Sequence, residues 1–255
     1  MSDYEFHIDG VASIDIRIPS GKIEVVSGEE NTVRVGLSGS GEGDVAVEQR
    51  GTTISITSKR QGRFFMIDRN IYATIEVPSG AEIRAGVASA DLTCDADISH
   101  LTFQSASGDL RFREAVEVDA KTASGDLRGA VVQERLSFVS ASGDVFLDEV
   151  RGRTEVSTAS GDMHVDRIEG STQVSTMSGD VHISEFLGNE LTGKSMSGNI
   201  RVGIPTGTKV DLDANSLSGK IHLPERKTSS AAESETRATR LQVKLVSGDL
   251  RIERA

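Results

Sequence analysis

Tryptophan is absent from these 255 residues, and aromatic side chains together make up 4% of them. A core so short of large rings suits thin strand-on-strand packing better than a bulky globular interior. Cys94 is the single cysteine, so no intramolecular disulfide can form, and a buried structural thiol is the expected reading. Positive charge is scarce: 28 Lys and Arg face 39 Asp and Glu, for a net charge of −11. That balance argues against a nucleic-acid surface and against docking on anionic lipid. No apolar run approaches the length of a membrane span, and MSDYEFHIDG carries neither the basic start nor the apolar stretch of a signal peptide. The expected location is therefore cytoplasmic, with no direct membrane insertion. No segment shows a convincing helical period.

What the chain has in abundance is one motif. SASGDL (105–110), TASGDL (122–127), SASGDV (140–145), TASGDM (158–163) and TMSGDV (176–181) follow one another, with degenerate copies VASADL (87–92), SMSGNI (195–200), SLSGKI (216–221) and LVSGDL (245–250). Gly108, Gly125, Gly143, Gly161 and Gly179 are spaced 17, 18, 18 and 18 residues apart. A short fixed period of this kind is the signature of a solenoid.

One coil, from Gly143 to Ser160, shows the plan. Val145 and Leu147 alternate with Phe146 and Asp148, and Thr154, Val156 and Thr158 alternate with Glu155 and Ser157. These are two half-buried strands, separated by Arg151-Gly152 at one end and by Ser-Gly-Asp at the other. Glycine is expected to supply a positive φ at that corner. The inward column Leu110, Leu127, Val145, Met163, Val181, Ile200, Ile221 and Leu250 should stack as one apolar seam. The fold class is all-β: a single-stranded parallel β-helix or β-solenoid of about 18 residues per coil. A left-handed hexapeptide helix also turns in 18 residues, but Asp162 and Asp180 fall where its apolar residue should recur. A flattened, right-handed coil is preferred, partly by the rule for parallel crossovers.

Residues 1–80 read as an irregular β N-terminal cap continuous with the solenoid of residues 81–255. IPSGKIEV (18–25) looks like a degenerate coil, and the basic loop Arg63-Phe64-Phe65-Met66-Ile67 reads as cap packing rather than a docking patch. PERKTSSAAESETRATR (224–240) reads as a mobile insertion. The final rung, Leu250 to Ala255, is expected at an open end of the stack. There it either pairs with a second copy or is blunted by Arg251, Glu253 and Arg254, and a monomer is narrowly favoured over a homodimer.

The Ser-Gly-Asp repeats, IPSGKIEV and the Ile75-Glu76-Val77-Pro78 strand resemble a bacterial family called the putative adhesins, β-strand-repeat domains of unknown function. The likeness covers almost the whole chain and is most specific from Ala88 to Arg251. It implies a parallel β-helix-like solenoid without established catalytic residues. Some relatives look envelope-associated and linked to stress signalling, often with a leader or membrane anchor, which this sequence lacks.

Several constellations invite chemistry. Asp91, Asp109, Asp126, Asp144, Asp162, Asp180 and Asp249, with Asn199 and Lys220 in the same column, would repel at the roughly 4.8 Å spacing of strands unless something offsets them. Thr93, Arg111, Arg128, Phe146, His164, His182, Arg201, His222 and Arg251 stand two residues further on, so a turn-capping, charge-compensated ladder is the leading reading. The calcium β-roll pattern is missing. Asp162, His164, Asp180 and His182 would share a patch of about 5 by 7 Å, a candidate site for zinc or a similar divalent ion. The hydroxyl columns lack a His or Lys placed to activate each serine. Coils this short leave no groove walls for a carbohydrate-active enzyme. Met177, Met196 and Leu217 replace alanine in the column between the hydroxyls, and form either a partner face or a corner filling. The function expected is a non-enzymatic interaction or scaffold module with a protein partner and no cofactor. A metal-binding protein is the alternative, and a carbohydrate-active enzyme a lesser one.

Overall fold

The computed structural model describes residues 2–59, 71–224 and 237–255. Among them there is no α-helix; one 3-10 turn spans Glu42–Asp44 and strands supply the rest of the regular structure. The chain divides into two compact units, residues 1–130 and 131–255.

The N-terminal unit holds β1 (Ser2–His7), β2 (Ser13–Arg17), β3 (Gly21–Ser27), β4 (Thr32–Ser38), β5 (Val45–Arg50), β6 (Thr53–Ser58), β7 (Ile71–Val77), β8 (Ala81–Gly86), β9 (Asp91–Ser105) and β10 (Leu110–Thr122). Apolar residues alternate inward along each: Ile14 and Ile16 in β2, Ile23 and Val25 in β3, and Ile71, Ala73, Ile75 and Val77 in β7 are all buried. Cys94 lies among them, and burial pushes its thiol pKa well up. The strands form two parallel ladders. In one, β2 lies between β6 and β8, with Ile14 opposite both Ile54 and Ile83. In the other, β3 lies between β7 and β9, with Val25 opposite both Ile75 and Cys94. The β2–β3 coil is therefore threaded between strands that follow it in sequence, with β6 and β7 on one side and β8 and β9 on the other. IPSGKIEV is its corner, where Gly21 has φ +131°. Beyond it the pairing turns antiparallel: β4 on β7, β1 on β4 and β5 on β6. Residues Arg63 to Ile67 lie outside the described residues.

A strand β11 (Leu127–Ser140) runs across the boundary between the units. The C-terminal unit continues with β12 (Val145–Val150), β13 (Arg153–Thr158), β14 (Met163–Ile168), β15 (Thr172–Thr176), β16 (Val181–Phe186), β17 (Glu190–Ser195), β18 (Ile200–Ile204), β19 (Thr208–Ser216), β20 (Ile221–His222), β21 (Arg237–Leu245) and β22 (Leu250–Arg254). Val145, Met163 and Val181 pair in series in parallel strands, as the period predicts. The far end differs from expectation. β18 pairs with β22, and β20 lies on the other side of β22. In the companion ladder β21 lies between β17 and β19.

The last rung in sequence is thus the penultimate rung in space, which corrects the expectation that Leu250 to Ala255 forms an open end. The outer coil is β19–β20, and Ile221 is accordingly 41% exposed while Leu250 is 1% exposed. Residues Arg237 to Arg240 belong to β21 and pair with Thr208 to Asp211, so they are strand rather than insertion.

Candidate functional site

The corners repeat one hydrogen-bond scheme, save that Leu245 takes the place of the first hydroxyl at Gly248. The first hydroxyl accepts from the glycine N–H three residues on, as in Ser140 with Gly143 at 2.7 Å and Thr158 with Gly161 at 2.9 Å. The serine before the glycine donates its N–H to the rung behind, as Ser178 does to the Ala159 carbonyl at 2.9 Å. The glycines themselves have negative or extended φ, which corrects the expectation of a positive φ at the corner. They are required by proximity instead: a Cβ on Gly161 would lie 1.9 Å from the carbonyl oxygen of Gly143.

The aspartate column has a backbone function. Within each unit a carboxylate Oδ1 accepts the N–H of the aspartate on the next rung: Asp91 from Asp109 (2.9 Å), Asp109 from Asp126 (3.0 Å), Asp144 from Asp162 (2.8 Å) and Asp162 from Asp180 (2.8 Å). These charge-assisted bonds offset the repulsion along the column. The scheme continues in the threaded order, Asp180 to Asn199, Asn199 to Asp249 and Asp249 to Lys220. Lysine, which cannot accept, stands on the outermost rung, where no further N–H needs an acceptor. Arg111 and Arg128 add ion pairs of 3.1 Å to Asp109 and Asp126.

Of the four residues singled out as a metal set, the histidines come together. His164 and His182 stack with ring centroids 4.8 Å apart. Burial, followed by the charge of His164 and of Arg201, lowers the His182 pKa. Asp162 and Asp180 instead direct Oδ1 at backbone N–H groups. Two residues that sequence reasoning missed sit beside the rings: Asp166 Oδ1 is 3.1 Å from His164 Nε2, and Ser184 Oγ is 3.3 Å from His182 Nε2. Their signal was the alternation itself, since both are the next outward positions on β14 and β16. Ser184 Oγ also lies 3.4 Å from Asp166 Oδ1, so this carboxylate contacts the serine and the other histidine rather than orienting His182. A nucleophile–base–acid relay needs the acid on the base. Among the described residues no three His, Cys, Asp or Glu gather as a metal-ion ligand group.

The apolar column faces solvent. Met177 is 54% exposed, Met196 53%, Val246 45% and Leu217 77%. Backbone bonds place them in that order along the edge: Ser197 N–H to the Met177 carbonyl, Ser247 to Met196 and Ser218 to Val246. Val246 joins the strip because β21 and β22 are threaded inward.

A family model described as Toastrack DUF4097 matches residues 11–253. Among solved structures, a putative adhesin from Parabacteroides distasonis superposes with a TM-score of 0.52 at 11% identity, covering 98% of this chain and 96% of the other. One from Bacteroides fragilis gives 0.44 at 12% identity over 98% and 96% of the two chains. A protein from Parabacteroides distasonis named a putative lipid binding protein gives 0.44 at 15% identity over 100% and 96%. No curated protein matches the sequence.

Proposed function

Because the chain belongs to the Toastrack family DUF4097, we propose that it works as a non-enzymatic β-solenoid scaffold, with coils wound right-handed, that binds a protein partner along Met177, Met196, Val246 and Leu217. The observation that carries this reading is the exposure of four large apolar side chains in one continuous strip. The same column has Ala141 and Ala159 on the preceding rungs. Contiguous exposed apolar surface marks interaction sites, and methionine adapts to varied partner shapes. Ser178, Ser197, Ser247 and Ser218 follow the strip residues on one side, while Thr176, Ser195 and Leu245 on the other are buried.

A photo-crosslinking residue at position 196, compared in cells with one at position 141, tests the reading. Adducts with another protein at 196 and none at 141 are expected. Equal labelling at both positions would defeat it, and adducts with the chain itself would turn the strip into a self-association surface. The metal reading of Asp162, His164, Asp180 and His182 is separated by thermal denaturation with and without zinc. The scaffold reading expects no shift in Tm.

A further inference from the structure

The column that carries Arg111 and Arg128 changes character in the C-terminal unit. Those two arginines each pair with the aspartate two residues before them. At Arg201 the residue two before is Asn199, and Arg201 forms no ion pair among the described residues. The threading of β22 then concentrates positive charge. Arg201 is opposite Arg251, Arg251 is opposite His222, and His182 is opposite Arg201 on its other side. These four side chains, with Asp180, Asn199 and Asp249, line one open cavity of about 320 Å³.

The carboxylates there are already engaged. Asp180 Oδ1 accepts from the Asn199 N–H at 2.7 Å and from its side-chain amide at 3.1 Å, and Asp249 Oδ1 accepts from the Lys220 N–H at 2.8 Å. Glu253 lies 3.6 Å from Arg251. The Arg201 guanidinium stands beside a second guanidinium and forms no ion pair among the described residues, while Asp180 and Asp249 bring their charge to the same lining with Oδ1 turned to N–H donors. Planar guanidinium forks match tetrahedral oxyanions, and adjacent parallel rungs set them about 4.8 Å apart, close enough to share one.

We propose that this cavity binds a small phosphate monoester, its oxyanion bridging Arg201 and Arg251, with His182 and His222 at its sides. A cavity of 320 Å³ exceeds what a bare phosphate fills and lies in the range of small-molecule sites, so there is room for a sugar-sized organic group. Burial and the charges of His164 and Arg201 lower the His182 pKa, and a bound anion works against that lowering. None of the strip residues lines the cavity, and the proposal does not depend on the strip.

Five histidines in the chain make the test direct. Inorganic phosphate and glucose 6-phosphate are titrated at constant ionic strength while imidazole resonances are followed by NMR. Saturable shifts at His182 and His222, with His7 and His100 unmoved and glucose 6-phosphate binding more tightly than phosphate, are expected. Arg201→Gln should weaken binding about tenfold or more. Asn199→Asp should do the same while keeping an oxygen acceptor for the Asp249 N–H, because it supplies the carboxylate that Arg201 lacks. Non-saturating shifts up to about 10 mM, where a useful site would be filled, overturn the proposal. So does wild-type affinity in both variants. Equal affinity for the two probes removes the organic group, and a matching His182 shift from phosphatidic acid vesicles but not from glucose 6-phosphate would transfer the site to a lipid headgroup and overturn the small ligand.

Discussion

Thr154 is fully buried between Leu136 and Thr172, and its Oγ1 has no hydrogen-bond partner among the described residues. An unsatisfied buried hydroxyl costs free energy that an isosteric methyl group does not. Thr154→Val is expected to stabilise the protein by about 1 kcal/mol, seen as a higher denaturation midpoint. A lower midpoint would mean that the hydroxyl is satisfied after all. His182 gives a pH dependence. Burial lowers its pKa first, then His164 and Arg201, against the opposing pull of Glu253 and Asp166. A histidine with a depressed folded pKa takes up its proton more readily in the unfolded chain. Stability at this site is complete above the unfolded value of 6.5 and declines as pH falls through it, levelling below the folded value. His182→Gln should flatten the fall in unfolding free energy between about pH 7 and pH 5; an unchanged slope would contradict the assignment.

At the scale of the element, the corner is a unit in which each residue type has a separate task. Gly161→Ala puts a Cβ 1.9 Å from the Gly143 carbonyl oxygen, whereas at Gly43 nothing lies within 4 Å. The first substitution should cost about 3 kcal/mol or more, and the second only the small cost of an ordinary exposed change. Similar losses at both positions would remove the close-stacking account. The aspartate ladder makes a second prediction. Asp162→Ala leaves the Asp180 N–H without its acceptor and should cost about 1–3 kcal/mol. Asp162→Asn retains a side-chain oxygen, as Asn199 does for Asp249, and should cost less than half as much. Equal losses would mean that the carboxylate charge, rather than the acceptor, holds the corner. The alternation and the corner motif were legible residue by residue, because period two and a fixed repeat report directly on strand and turn. The reason for glycine was not legible, since a positive φ and close approach between rungs both select it.

In each unit one coil lies out of sequence order, with β2–β3 between coils that follow it and β21–β22 between coils that precede it. In the C-terminal unit, deletion of Leu250 to Ala255 therefore removes an interior rung. Two side chains with 1% and 3% exposure, Leu250 and Ile252, are lost with it. At about 1.5–3 kcal/mol for each buried side chain, the unit should lose several kcal/mol or fail to unfold cooperatively in denaturant. A deletion that changed the oligomeric state and left stability intact would contradict the threaded order. The candidate sites divide along the same line. The sequence by itself determined strands, corners, the inward seam and the outward columns, because these depend on neighbours two residues apart and on a repeat that recurs whatever its order. The stacking order of the rungs, the placement of Val246 in the apolar strip and the meeting of Arg201 with Arg251 were decided by the tertiary structure. Ser-Gly-Asp corners are chemically interchangeable, so a rung bearing one can dock on any other. The local hint was Lys220, a residue unable to accept the next N–H, and it marks the rung after which none follows.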